Sequence, residues 1–188
     1  NHDQRERLEH LATIDPLTGI KNRRSMDQEL DLAAANAERT GLPYALVLLD
    51  IDHFKKINDE HGHGVGDDVL TDLVALLKQN TRKSDQLFRY GGEEFVLLLP
   101  GVDGIGLKAV MNNLQQVLRK YMKYPGGTVT ASFGVALLGH GEGVDSWLAR
   151  ADAALYEAKE TGRDRVVFSD DQPVPEPAAG AARMPSGA

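Results

Sequence analysis

Gln86-Leu87-Phe88-Arg89-Tyr90-Gly91-Gly92-Glu93-Glu94-Phe95-Val96-Leu97-Leu98-Leu99-Pro100 is the stretch on which the fold turns. Two short apolar runs flank a Gly-Gly pair, and Pro100 stops the second. The pattern predicts a β-hairpin in which the glycines supply the positive φ of a two-residue turn. A hairpin has no need of two adjacent carboxylates at the start of its return strand. Glu93 and Glu94 repel each other beside a buried edge unless something positive lies there, either a metal ion or a basic side chain.

Upstream, Tyr44-Ala45-Leu46-Val47-Leu48-Leu49 is a continuous apolar run, as expected of a strand buried on both faces. It ends in Asp50-Ile51-Asp52. An apolar strand that delivers an acid at its C-terminal end, near a hairpin that delivers more acids, can build a site for hard divalent cations.

Working outward, residues 1–14 are charged, with Leu8, Leu11 and Ala12 at helical spacing, and read as the end of a linker helix. Asp15-Pro16-Leu17-Thr18-Gly19 is turn chemistry. A helix is predicted over 23–40, stopped by Gly41 and Pro43. A polar, glycine-bearing stretch over 53–66 leads into a helix whose apolar face is Val69, Leu73, Leu76 and Leu77. After the hairpin come a helix carrying Leu107, Met111, Leu114, Leu118 and Tyr121, and a strand over 129–137. A helix over 146–161 follows with Gly162 as its C-cap, then a short strand over 165–168. Residues 170–188, rich in Pro, Ala and Gly, read as a disordered tail after a domain spanning 15–169. The order predicts an α+β fold, one mostly antiparallel sheet with helices packed on it.

Composition narrows the function. The 188 residues carry a net charge of −7 and no cysteine. Disulfides, thiolate zinc sites and cysteine nucleophiles are excluded. A duplex nucleic-acid binder normally presents a basic face, which this balance opposes, whereas a single nucleotide can be met by metal ions and a few cations. No run approaches the ~18 apolar residues of a membrane span. Without a signal peptide in these residues the expected compartment is the cytoplasm. The first residue is not Met, so a longer parent protein is expected.

Asp50, Glu93 and Glu94 together read as ligands for one or two Mg²⁺ ions that bind a triphosphate. Taken singly, each is better explained as a cap or an exposed turn residue. Asp52-His53-Phe54-Lys55-Lys56-Ile57-Asn58-Asp59 directly follows the strand, where backbone N–H groups can cradle phosphate and Lys55 adds positive charge. A solvated first helical turn explains this stretch equally. In His61-Gly62-His63-Gly64-Val65-Gly66-Asp67-Asp68, Asp67 or Asp68 suits the first turn of a helix. A carboxylate there, with Asn58, can also satisfy the edge of guanine. Lys159 and Arg163 complement a helix C-terminus, with phosphate contact as the second reading. Arg82 and Asp85, three apart, taken alone form an ordinary surface pair.

In combination these motifs resemble the GGDEF-domain diguanylate cyclases, with Glu in the variable third position of the signature. The resemblance also rests on Asp15-Pro16-Leu17-Thr18-Gly19-Ile20-Lys21-Asn22-Arg23-Arg24, on the segment 50–59, on the loop 62–67 and on the helix segment 154–163. Several spaced motifs in one order are far more specific than any one alone.

The resemblance implies a palm-like, adenylyl cyclase-like sheet. It implies condensation of two GTP to cyclic di-GMP and two pyrophosphates, across a homodimer whose half-sites face each other. Asp50, the carbonyl of Ile51 and Glu93 resemble the Mg²⁺ ligands, with Mn²⁺ as the alternative ion and Glu94 joining the shell. Glu93 is also the candidate acceptor of the 3′-hydroxyl proton. Lys55 resembles the group that stabilises the transition state. Asn58 and Asp67 resemble guanine readers, with Phe54 and His63 near the substrate and Lys159 and Arg163 on phosphate. The Arg82–Asp85 spacing resembles an RxxD inhibitory site that takes the product. An upstream sensor domain acting through residues 1–14 is expected. The competing readings are a non-catalytic module that senses GTP or cyclic di-GMP, and a palm-type transferase acting on polynucleotide, which the charge opposes.

Overall fold

Every residue of β2 (Tyr44–Ile51) is buried, because the strand has a paired neighbour on each side and a helical layer on each face. The computed structural model describes residues 1–169, the side chains of 9–11 apart. The expected tail over 170–188 lies outside the described residues. In chain order the elements are α1 (His2–Thr13), β1 (Lys21–Asn22), α2 (Arg23–Thr40), β2, α3 (Phe54–His61), α4 (His63–Gln79), β3 (Gln86–Arg89) and β4 (Glu94–Pro100). There follow α5 (Gly104–Tyr121), β5 (Lys123–Tyr124), β6 (Gly127–Thr128), β7 (Ala131–Leu137), α6 (Val144–Glu160) and β8 (Val166–Phe168).

One six-stranded sheet has the order β1-β3-β4-β2-β7-β8. Its four central strands pair antiparallel, and only the edge pairs β1–β3 and β7–β8 are parallel. It is the expected mostly antiparallel central sheet flanked by helices. Alternation along the strands sends Ala45, Val47, Leu49 and Ile51 to one face, with α4 and α5. It sends Tyr44, Leu46 and Leu48 to the other, with α2 and α6. On that second face Trp147 is fully buried and donates Nε1–H to the carbonyl of Ala136 at 2.9 Å. Burying a large apolar side chain contributes about 1.5–3 kcal/mol, so these two layers dominate the favourable side of folding.

The structure revises several local expectations. The hairpin turn is not two residues long: the ladder ends at Arg89↔Phe95, and Tyr90 and Gly91 both donate their N–H to the carbonyl of Glu94. Neither Gly91 nor Gly92 has positive φ, so left-handed backbone is not what the pair supplies. The stretch after β2 is helix: α3 and α4 are separated only by Gly62, at φ 86. Packing overrides the poor helix propensity of Gly64 and Gly66. With α4 starting at His63, Asp67 and Asp68 lie beyond its first turn. The strand expected from 129 begins at Ala131, because the N–H of Val129 goes back to Met122 beside the small β5–β6 hairpin. The final strand begins at Val166, and the C-cap of α6 is Thr161 rather than Gly162. The two-residue β1 had no periodicity to announce it.

Candidate functional site

Register brings the acids together. Asp50 stands opposite Glu94 on β4 and opposite Ser132 on β7, and these side chains share the α6 face. The N–H of Ile51 donates to the carbonyl of Glu93 at 3.2 Å, so Glu93 continues the ladder just before the first residue of β4. From the last turn of α6, Lys159 Nζ donates to Asp50 Oδ2 at 2.6 Å. The helix comes this close because residue 134 is glycine. A Cβ there would collide with the carbonyl oxygen of Ala151 and the backbone nitrogen of Leu155.

Electrostatics marks the place as frustrated. Burial pushes the Asp50 carboxyl up, and the charges of Glu93 and Asp52 push the same way, against the ammonium of Lys159. Burial also pushes Glu94 up, with Asp50 and Glu93 adding and Lys159 opposing. A place where two carboxylates resist ionisation and one ammonium is already held suits a further cation. Among the described residues no three His, Asp or Glu side chains form a ready ligand cluster. The donors present, carboxylates and backbone carbonyls, are the hard oxygens that Mg²⁺ and Mn²⁺ take, so the residues fit such an ion.

Beside the acids the chain turns into α3 through His53, a non-glycine at φ 55, with no side-chain cap. The first N–H groups of α3 therefore have no intrahelical partner. Lys55 is exposed there and Phe54 half-buried. Asn58 points at Gly66 of α4, where a Cβ would collide with its Oδ1. That Oδ1 is buried and without a hydrogen-bond partner. An orphaned buried amide oxygen beside a glycine cradle is what a ligand donor would satisfy. Asp67 follows Gly66, and both it and His63 are exposed.

After α6, Gly162, Arg163 and Asp164 all have positive φ. Arg163 is half-buried, and its guanidinium makes no hydrogen bond or ion pair among the described residues.

Arg82 and Asp85 lie elsewhere, in the approach to β3. The Arg82 N–H donates to Asp85 Oδ2 at 2.7 Å, and its Nη2 donates to Asp85 Oδ1 at 3.1 Å and to the carbonyl of Pro100 at 2.6 Å. They line a cleft of about 490 Å³ with Ile14, Lys21, Lys78 and Gln86.

Sequence reasoning missed the supports. Arg89 donates Nη1–H to both oxygens of Asp15, at 3.1 and 3.2 Å, and donates to the carbonyls of Gly91 and Gly92. Asp15 also receives the N–H and hydroxyl of Thr18. The turn at 15–18 is thereby tied to the Gly-Gly loop. Asp52, buried against Thr130, Ser132 and Asp164, had only its same-face spacing from Asp50 to signal it.

The family model described as "Diguanylate cyclase, GGDEF domain" matches residues 12–165. The diguanylate cyclase DgcP of Pseudomonas aeruginosa is 38% identical over 168 residues, covering 88% of this chain and 25% of that protein. The response regulator PleD of Caulobacter vibrioides is 40% identical over 178 residues, covering 87% and 38%. This chain thus spans well under half the length of these curated relatives. A crystal structure of the coiled coil and GGDEF domain of DgcB from Caulobacter crescentus, in complex with c-di-GMP, superposes with a TM-score of 0.83 at 35% identity, covering 89% of this chain and 91% of that one.

Proposed function

Since this chain belongs to the GGDEF-domain diguanylate cyclase family, we propose that it condenses two GTP into cyclic di-GMP and two pyrophosphates. The observation that carries the reading is the Asp50–Glu94 register, with Glu93 beside it and Lys159 on Asp50.

The 3′-oxygen of one GTP forms a bond to the α-phosphorus of a second, and the α–β phosphoanhydride breaks to release pyrophosphate. The same step in the opposed half-site closes the ring, so the working unit is a homodimer. The family's divalent cation, Mg²⁺ with Mn²⁺ as the alternative, fits Asp50, the carbonyl of Ile51, Glu93 and Glu94, and supplies phosphate charge neutralisation and acidification of the 3′-hydroxyl. The carboxylate of Glu93 receives the proton of that hydroxyl. The free N–H groups at the start of α3 bind phosphate oxygens, and Lys55 offsets the charge that grows on the transferring group. Asn58 and Asp67 read the guanine edge, with Phe54 and His63 bounding the substrate. Lys159 and Arg163 hold the triphosphate.

Arg82 and Asp85, beside their 490 Å³ cleft, bind cyclic di-GMP as an inhibitory product. An upstream segment acts through α1, whose residues 2–8 are exposed, to bring two domains together. The chemistry belongs in the cytoplasm, where GTP is available. No helix among the described residues is long and apolar enough to cross a membrane.

The deciding experiment is GTP turnover with Mg²⁺ at high protein concentration, following cyclic di-GMP and pyrophosphate, beside Glu93→Ala. Product from the native chain and none from the variant is expected. Tight GTP or cyclic di-GMP binding without turnover, even in an enforced dimer, would favour a sensing module instead.

A further inference from the structure

Asp52 follows the last residue of β2 and is 3% exposed. It forms no ion pair among the described residues, and its neighbours are neutral donors. Oδ1 accepts from the Ser132 hydroxyl at 2.7 Å. Oδ2 accepts from the Thr130 hydroxyl at 2.7 Å and from the backbone N–H of Asp164 at 3.0 Å. The third bond is the unusual one, since it leaves the sheet and reaches the turn after α6.

That turn is strained. Gly162, Arg163 and Asp164 have φ of 128, 61 and 46, and two of the three carry a Cβ. Left-handed backbone at such residues persists only where the surroundings over-determine it. Here the carbonyl of Ala158 accepts the Arg163 N–H at 2.9 Å. From α5, Arg119 Nε donates to Asp164 Oδ1 at 3.0 Å, and Arg119 Nη2 and Gln115 Nε2 donate to the Asp164 carbonyl. Asp52 takes the Asp164 N–H from inside the protein. The turn leaves the Arg163 guanidinium without a protein partner among the described residues.

We propose that Asp52 is a positioning residue for the substrate phosphates. By holding the Asp164 N–H, it locks the turn 162–164 to the same strand end that bears Asp50, so Arg163 is held in place relative to Asp50 and Lys159. Asp52 itself does not touch the substrate. The inference rests on the reading that this site takes GTP.

The chemistry of the three donors separates this role from metal ligation. An asparagine at 52 can keep its carbonyl on the Asp164 N–H and turn its NH₂ toward Ser132, whose hydroxyl rotates to accept. A positioning role therefore survives Asp52→Asn and is lost in Asp52→Ala. A charge role is lost in both.

The test titrates the full chain with 3′-deoxy-GTP and Mg²⁺, which binds but cannot react. Asp52→Ala is expected to weaken binding about tenfold, and Asp52→Asn by less than about twofold. In an Arg163→Ala background Asp52→Ala is expected to add nothing further. Ser132→Ala, which leaves the Asp164 bond, is expected to lower the melting temperature without changing affinity. Full additivity with Arg163→Ala, or an Asn variant as weak as the Ala variant, overturns the proposal. If Asp52→Ala does not fold, Arg119→Ala replaces it in the same cycle, its side chain being 48% exposed. Unchanged affinity or full additivity in that cycle likewise overturns the proposal. A native chain that fails to bind 3′-deoxy-GTP overturns the GTP reading itself, a result separate from any variant.

Discussion

Asp50 and Glu94 face each other in direct register across β2 and β4, two carboxylates on the same side of the sheet. Like charges so placed weaken a sheet by up to about 1 kcal/mol. Burial pushes both carboxyls up, and the charge of Asp50 pushes Glu94 further the same way. Glu94→Gln is therefore expected to raise the melting temperature of the metal-free protein by about 2–4 °C while lowering GTP turnover at least about a hundredfold. Calorimetry and a turnover assay on the same preparation check it, and a lower melting temperature would refute the repulsion argument.

Acid stability is set elsewhere, by Asp15 and Glu142. Burial alone would raise Asp15, but the Thr18 hydrogen bonds and Arg89 reverse this and hold it below its ordinary value of 3.8. Burial likewise acts on Glu142, and Arg150, the Gly139 N–H and Ser146 hold it below 4.5. A depressed folded value means stabilisation that is present above the ordinary value and lost as pH falls through the folded one. Asp50 and Glu94 run oppositely, their ionised forms being disfavoured in the folded state, so they add stability as pH falls toward their ordinary values. Asp15→Asn and Glu142→Gln are each expected to destabilise at pH 7 and to flatten the acid limb below about pH 4. Urea titrations at stepped pH measure this.

Gly134 lets α6 rest on β7 with no side chain between them. Gly134→Ala forces the helix outward, at an expected cost of about 1–3 kcal/mol. Because Lys159 rides on that helix, GTP turnover is expected to fall by more than the loss of folded protein explains. Turnover at full occupancy of the fold, read below the melting transition, is the measurement.

Gly66 offers a contrast. A methyl group there meets the end of the Asn58 side chain, which can swing away, so Gly66→Ala is expected to cost little stability. The Asn58 amide would then leave its cradle. An increase of about tenfold in the KM for GTP, with a smaller change for ITP, is the expected result. Equal increases for both nucleotides would remove Asn58 from base recognition.

Arg82 bridges Asp85 and the Pro100 carbonyl, outside the acid site. Arg82→Ala is expected to leave the initial rate intact and raise the product inhibition constant at least about tenfold. Progress curves with added cyclic di-GMP report both.

Much of this was legible in the chain. The apolar run 44–49 announced a central strand, because a strand covered on both faces has no polar positions to hide. The acids at its end and in the hairpin declared themselves by the absence of any structural need for them. The helices α2, α4, α5 and α6 followed from 3.6-residue periodicity. The short helix α3 did not, since eight residues next to glycines carry too little pattern, and only Ile57 among them is buried.

Local order thus determined the longer strands and helices, which residues bear charge at their ends, and which family the chain joins. Tertiary structure alone decided how those charges meet. Lys159 reaches Asp50 across 109 positions, and it does so because a missing Cβ on a third element lets the helix close. Asp164 gives its N–H to Asp52 from a left-handed turn that no propensity favours, held by contacts from α5, α6 and β2's end. Periodicity reports what a segment buries. It is silent on side chains whose partners lie on other elements, because their energies arise only after packing has set the distances.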